Sequence, residues 1–415
     1  MTPKIFDNMT NSGNHPSIYP LSKHGLLPQE EMLETKRSRK QLLIGIPRES
    51  SPYENRIALS PQGVELLAAN GHQVVIESLA GEKASYTDHA FSEAGASIAP
   101  SAREVFDCDV ILKIAPPAPH EIDLLKPDQL ILSQFYPYLQ TRDNIQLLLD
   151  KRISAIGFEY INDGVNCQPV VRSMSEIEGT ASVMIAAEYM SKQHNGKGVL
   201  LGGITGITPT EFVILGAGTA GEFAARAALG LGATVKVFDN SYENLRQLEH
   251  HIGQRVFTSI LHPRVLTKAL KSADAVLGNL RDIQSSTSFM VTEEQVAEMK
   301  PGAILIDLNM GQGGCFETSR CTDLENPIFT KHNVIHYCVP NIASRVSRTS
   351  SIALSNIFAP LLLRLADAGG INNLIKQEPG ISNGTYIYKG ILTNNQIGQA
   401  FNLPSKDIGL LMAAF

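Results

Sequence analysis

From residue 41 onward, short apolar runs alternate with longer stretches in which apolar positions recur every three or four residues. The runs predict buried strands and the stretches predict amphipathic helices, the alternation of a parallel α/β architecture. Strands are predicted at 41–46, 73–77, 109–113, 129–135 and 154–158, with helices at 61–70, 91–94 and 142–151 between them. A long helix at 174–191 leads away from this group. A second group follows, with strands at 211–215, 234–238, 275–278, 303–307 and 333–337. The apolar helix predicted at 347–367 then leads the chain back towards the first group. Two doubly wound parallel sheets are therefore expected, with a ligand site in the cleft between them. The first 40 residues are polar and show no strand; only 28–39 has a helix-favouring composition. They read as an arm that packs on a neighbouring subunit.

Composition narrows the function classes. A chain of 415 residues exceeds the size at which one core keeps growing, which agrees with two domains. The formal net charge of −6 gives no electrostatic footprint for nucleic acid or an anionic membrane surface. The best apolar run, 357–365, is too short to span a bilayer, carries Arg364 and reads as a buried helix. The N-terminus has no apolar core segment of a signal peptide, so a cytoplasmic protein is expected. The cysteines (Cys108, Cys167, Cys315, Cys321 and Cys338) are odd in number and widely spaced, without a CxxC pair. They predict reduced thiols rather than a disulfide framework, and no metal site.

The stretch with most chemical content is Glu211-Phe212-Val213-Ile214-Leu215-Gly216-Ala217-Gly218-Thr219-Ala220-Gly221, continuing through a helix to a strand that ends at Asp239. A glycine-rich turn between strand and helix cradles a pyrophosphate. Gly216 permits the tight turn, Gly218 lets the backbone approach the phosphates, and Gly221 lets helix and strand pack closely. Asp239 would accept both ribose hydroxyls and repel a 2′-phosphate, which favours NAD over NADP.

Further motifs run through the remainder of the chain: Ile44-Gly45-Ile46-Pro47-Arg48-Glu49, Glu54-Asn55-Arg56-Ile57-Ala58-Leu59-Ser60-Pro61, Met174-Ser175-Glu176, Gly311-Gln312-Gly313-Gly314-Cys315-Phe316-Glu317-Thr318 and Arg348-Thr349-Ser350. With these the chain resembles the alanine dehydrogenase and pyridine-nucleotide transhydrogenase N-terminal family, closest to alanine dehydrogenase. The resemblance implies a Rossmann NAD-binding domain (173–341) inserted in a discontinuous catalytic domain (41–172 and 342–415), and a homo-oligomer. It implies an NAD-dependent oxidoreductase acting on a small amino acid or 2-oxo acid. Arg56 matches the family's carboxylate-binding arginine, and Lys113 its substrate-binding lysine. Ser175 and Asn341 match contacts on the nicotinamide side.

The resemblance is incomplete where protons move. Family dehydrogenases carry a catalytic histidine where this chain reads Phe135-Tyr136-Pro137-Tyr138-Leu139, with Pro137 in its place. The aspartate expected before Gln-Gly-Gly is missing too, since Asn309-Met310-Gly311 precedes Gln312. Loss of a positioned general base typically costs a factor of about 10²–10⁴ in rate. Three outcomes stay open: an amino-acid oxidoreductase of the alanine dehydrogenase type (oxidising L-alanine to pyruvate and ammonia, or an altered substrate), a nucleotide-binding member without turnover, and an enzyme of different chemistry. In the first, Tyr136, Tyr138, Glu176 or a water stands in for the histidine, and Arg345 binds a second carboxylate.

Overall fold

A computed structural model describes residues 40–163, 167–194, 196–280 and 290–414; the arm up to residue 39, with its predicted helix, lies outside them. The first sheet takes β1 (Leu43–Ile46), β2 (Gln73–Glu77), β3 (Ser97–Ala99), β4 (Val110–Leu112), β5 (Leu130–Ser133) and β6 (Ser154–Gly157). The second takes β7 (Glu211–Leu215), β8 (Thr234–Asp239), β9 (Phe257–Ile260), β10 (Ala275–Gly278), β11 (Ile304–Asp307), β12 (Ile328–Lys331) and β13 (Val334–Tyr337). The chain then returns and adds β14 (Thr385–Tyr388) and β15 (Ile391–Leu392) to the first sheet.

Strand orders are β15-β14-β6-β5-β4-β1-β2-β3 and β12-β13-β11-β10-β7-β8-β9. Each sheet thus reverses its order beside its own first strand, between β1 and β4 in one and between β7 and β10 in the other. The second is a Rossmann-type arrangement. Ligands of such sheets bind outside the carboxyl ends of the strands at the reversal. The inner strands are parallel, as expected, but β14 runs antiparallel to β6 and β12 antiparallel to β13. The sheets are therefore mixed at one edge each.

Both faces of both sheets are covered, which explains why the strands read as unbroken apolar runs. In β4 and β5, Val110, Leu112, Leu130 and Leu132 enter one core while Ile111 and Ile131 enter the opposite one. In the second sheet Phe212, Ile214, Leu277 and Ile306 point one way, and Val213, Leu215, Val276 and Leu305 the other. A fully buried side chain of this kind contributes about 1.5–3 kcal/mol. The apolar run at 357–365 falls within helix Ser347–Asp367, whose Leu354, Phe358, Leu361, Leu362 and Leu365 pack into the first core.

Helix Pro169–Tyr189 joins the two halves and lies against helix Thr219–Gly230. Its close approach depends on Gly179, where an added Cβ would stand 2.2 Å from the Ala220 carbonyl oxygen. The segment carrying Ser175 is thereby held beside the glycine-rich turn.

Candidate active site

The carboxyl ends of both sheets open onto one cavity of about 600 Å³. From the first sheet it is lined by Tyr53, Glu54 and Arg56 after β1, by Ala115–Ala118 after β4, by Gln134, Tyr136 and Tyr138 after β5, and by Glu159 after β6. From the second come Asn279 after β10, Asn309 and Gln312 after β11, and Asn341 after β13; the joining helix adds Met174, Ser175 and Glu178.

Arg56 is buried and held on both sides of its fork by Glu54, with Nε 2.7 Å from Oε1 and a terminal nitrogen 2.6 Å from Oε2. Its other terminal nitrogen faces Met174 Sδ at 3.3 Å. Burial alone would lower the guanidinium pKa, but Glu54, Glu178 and Glu49 hold it above its ordinary value. Glu54 Oε2 also accepts from Asn341 Nδ2 at 2.9 Å. Asn341 adopts φ 64°, a left-handed conformation that asparagine tolerates better than most residues. One carboxylate therefore ties the candidate substrate cation to a loop of the second sheet.

Lys113 is not among the lining residues. Its ammonium is fully buried behind Ala115–Ala118, 2.7 Å from Glu121 Oε2 and 3.8 Å from Glu49 Oε2. Glu49 in turn accepts the backbone N–H groups of Ile114, at 2.5 Å, and Ala115, at 3.2 Å. Desolvation pushes the Glu49 carboxyl up to about 7, with Lys113 opposing. Glu178 is pushed up to about 7 as well, again by burial and against Arg56.

The glycine-rich turn sits at the other reversal point. Gly216 has φ 113°, and a Cβ there would stand 2.8 Å from the carbonyl oxygen of Asn279, a lining residue. At Gly221 an added Cβ would be 1.8 Å from Gly216 O, so strand and helix meet there without room for a methyl group. Gly218 is different: a Cβ on it meets nothing within 4 Å, and the residue is exposed. Asp239 is buried at the end of β8. Its Oδ2 accepts Ala217 N–H at 2.7 Å and its Oδ1 accepts Ser241 N–H at 2.7 Å.

Of the predicted site residues, Arg56, Ser175 and Asn341 line one cavity, Lys113 lies behind its wall, and Gly216, Gly218, Gly221 and Asp239 are not among its lining residues, Gly216 alone meeting the lining residue Asn279. Tyr136 and Tyr138 reach the cavity with rings stacked at 5.2 Å. Arg345 does not: it pairs with Glu188 at 2.5 Å, and both border a separate groove together with Glu176. Glu159 and Glu178 line the cavity too, and neither stands among the predicted site residues. Both were signalled, Glu159 as an acid directly after a parallel strand and Glu178 as one helical turn beyond Ser175.

Family models for the alanine dehydrogenase/PNT N-terminal and C-terminal domains match residues 45–178 and 182–395. The chain is 38% identical over 368 residues to alanine dehydrogenase of Methanococcus maripaludis, covering 88% of this chain and 97% of that one. It is 35% identical over 367 residues to alanine dehydrogenase 2 of Staphylococcus aureus, covering 88% and 98%. A solved L-alanine dehydrogenase superposes with a TM-score of 0.81 at 33% identity, covering 87% of this chain and 99% of the other. The chain belongs to the alanine dehydrogenase/PNT family.

Proposed function

We propose that this member of the alanine dehydrogenase/PNT family is an NAD-dependent amino-acid oxidoreductase that interconverts an amino acid such as L-alanine with its 2-oxo acid and ammonia. What carries the reading is the cavity lined by Arg56 from the first sheet and by Asn279, Asn309 and Asn341 from the carboxyl ends of the second. On this reading residues 41–172 and 342–415 hold the substrate, 173–341 hold the dinucleotide, and the protein works as a cytoplasmic homo-oligomer.

The residues fit a dinucleotide. Open space at Gly218 lets a pyrophosphate reach the backbone, and the first turn of helix Thr219–Gly230 offers N–H groups to it. Asp239 keeps unused lone pairs for a ribose while its bonded oxygens hold the turn in shape. NAD, when bound, supplies a hydride acceptor for the substrate Cα. Arg56 gives Nε and one terminal N–H to Glu54, and its remaining donors suit a planar carboxylate. Lys113 supports that anion through the loop at Ala115–Ala118 and offsets Glu49 and Glu121. Ser175 and Asn341 border the nicotinamide side. On this reading Pro137 stands where the family's histidine would be, and Asn309-Met310-Gly311 precedes Gln312 without the family's aspartate, so proton transfer falls to another group.

Purified protein mixed with NAD and a panel of L-amino acids, or with NADH, ammonia and 2-oxo acids, tests this. Saturable absorbance change at 340 nm is expected with at least one pair. NADH binding without turnover on any pair would favour a nucleotide-binding role and overturn the enzyme reading.

A further inference from the structure

One acid in the cleft is buried with half of its carboxylate unused. Glu159 lies in the turn Phe158–Tyr160 at the carboxyl end of β6 and is 2% exposed. Its Oε1 accepts Phe135 N–H at 2.7 Å, whereas Oε2 has no hydrogen-bond partner among the described residues. Buried polar atoms are nearly always paired, so this orphan is an exception that asks for an explanation. Glu159 lines the same cavity as Arg56. Its one hydrogen bond fastens it to the segment Phe135–Leu139, where Pro137 replaces the family histidine. A carboxyl group is thus fixed at the base of the segment that lost its imidazole.

We propose that Glu159 is the group that exchanges protons with the substrate nitrogen in this cleft. The inference rests on the amino-acid oxidoreductase reading. In the oxidative direction its carboxylate takes a proton from the substrate ammonium. One N–H bond breaks, one O–H bond forms, and nitrogen keeps the electron pair. That pair forms the C=N bond as Cα gives up hydride to NAD. In the reductive direction Glu159 returns the proton to nitrogen.

The surroundings suit a group that works in both forms. Burial pushes the Glu159 carboxyl up to about 7, and the Phe135 N–H only partly opposes that. The groups facing it are Tyr136 from the Phe135–Leu139 segment and Tyr386 from β14, whose own pKa values burial and Glu159 raise. Glu178 on the joining helix acts on Tyr136 from the other side. A general acid or base is most effective when its pKa lies near the working pH.

Glu159→Gln keeps an amide oxygen for Phe135 N–H and removes only the exchangeable proton. Two measurements decide the matter. Carbon-13 NMR of glutamate-labelled protein should show a carboxyl titrating near 7 that is absent from the variant; a resonance lost in the variant that titrates in the ordinary carboxylate range overturns the proposal. Steady-state oxidation across pH should show kcat about 10²–10⁴-fold lower in the variant, with the acidic limb of the profile gone and NADH affinity unchanged. A merely structural role would lower kcat and leave the limb in place, which also overturns it. Wild-type protein that binds NADH but turns over no amino acid brings down the function reading and this inference together. An active wild type whose variant is equally active brings down this inference alone.

Discussion

Replacing Glu159 by glutamine should change how stability depends on pH, whatever the protein's substrate is. The Glu159 carboxyl is raised from 4.5 to about 7 in the fold, chiefly because burial disfavours the carboxylate. Between those two values the folded chain holds a proton that the unfolded chain has released. The favourable contribution is therefore complete below about 4.5 and is lost as pH rises through about 7. At about 1.4 kcal/mol per pH unit, the full difference amounts to about 3.5 kcal/mol. Glutamine does not titrate, so the variant lacks this slope. Glu49 and Glu178, raised to about 7 for the same reason, slope both curves alike and drop out of the comparison. Urea unfolding of both proteins at several values from pH 5 to pH 8 supplies the test. Wild type minus variant should fall by about 2.5 kcal/mol over that range, the rest of the change lying below pH 5. A difference that stays flat, or that rises with pH, would refute the claim that this carboxyl is held protonated by burial.

Substitutions at four other positions probe the rest of the cleft. Arg56→Met should cost about 3–5 kcal/mol in urea unfolding, because Glu54 is left as a buried charge without its partner, whereas Arg56→Lys should cost less. Lys113→Met should be comparably destabilising as well as inactive, since its ammonium is sealed between Glu121 and Glu49; turnover retained at wild-type level would remove Lys113 from the substrate site. The two glycines of the turn should part company. Gly218→Ala has room for its methyl group within the protein, so Tm should hold while NADH binding, followed by fluorescence, weakens at least about tenfold. Gly221→Ala places that group against Gly216 O and should lower Tm and binding together.

Most of the inner architecture was legible because inner strands of a doubly wound sheet are buried on both faces. Such strands appear as unbroken apolar runs, and every strand adjoining a reversal point, β1, β4, β7 and β10, was read correctly. The edges were not. β9 (Phe257–Ile260) and β12 (Ile328–Lys331) have no fully buried residue, so neither produces a continuous run. β3 is only three residues long. β14 (Thr385–Tyr388) is buried throughout but follows a long helical stretch, and nothing local shows that it pairs with β6, more than two hundred residues earlier. Long-range pairing leaves no mark on the periodicity of either strand.

The site was legible by type more than by placement. A motif match can mark Arg56 and Lys113 as candidate cations, but whether a side chain reaches the cavity depends on the loop in front of it. For Arg56 nothing intervenes; for Lys113 the Ala115–Ala118 loop does, and two carboxylates hold the ammonium behind it. Arg345 shows the reverse error: it is expected to bind a second carboxylate, yet the turn Ile342–Val346 carries it to Glu188 outside the cleft. Glu159 was hidden for a different reason. An acid next to two aromatic residues looks like any strand-end charge until burial is known, and burial is what separates it from a solvated carboxylate. If Pro137 stands in the family histidine's place, as proposed, proton transfer need not be lost with it. The same cavity wall, one strand further along the sheet at β6, supplies a carboxyl whose environment gives it the titration range that an imidazole would have had.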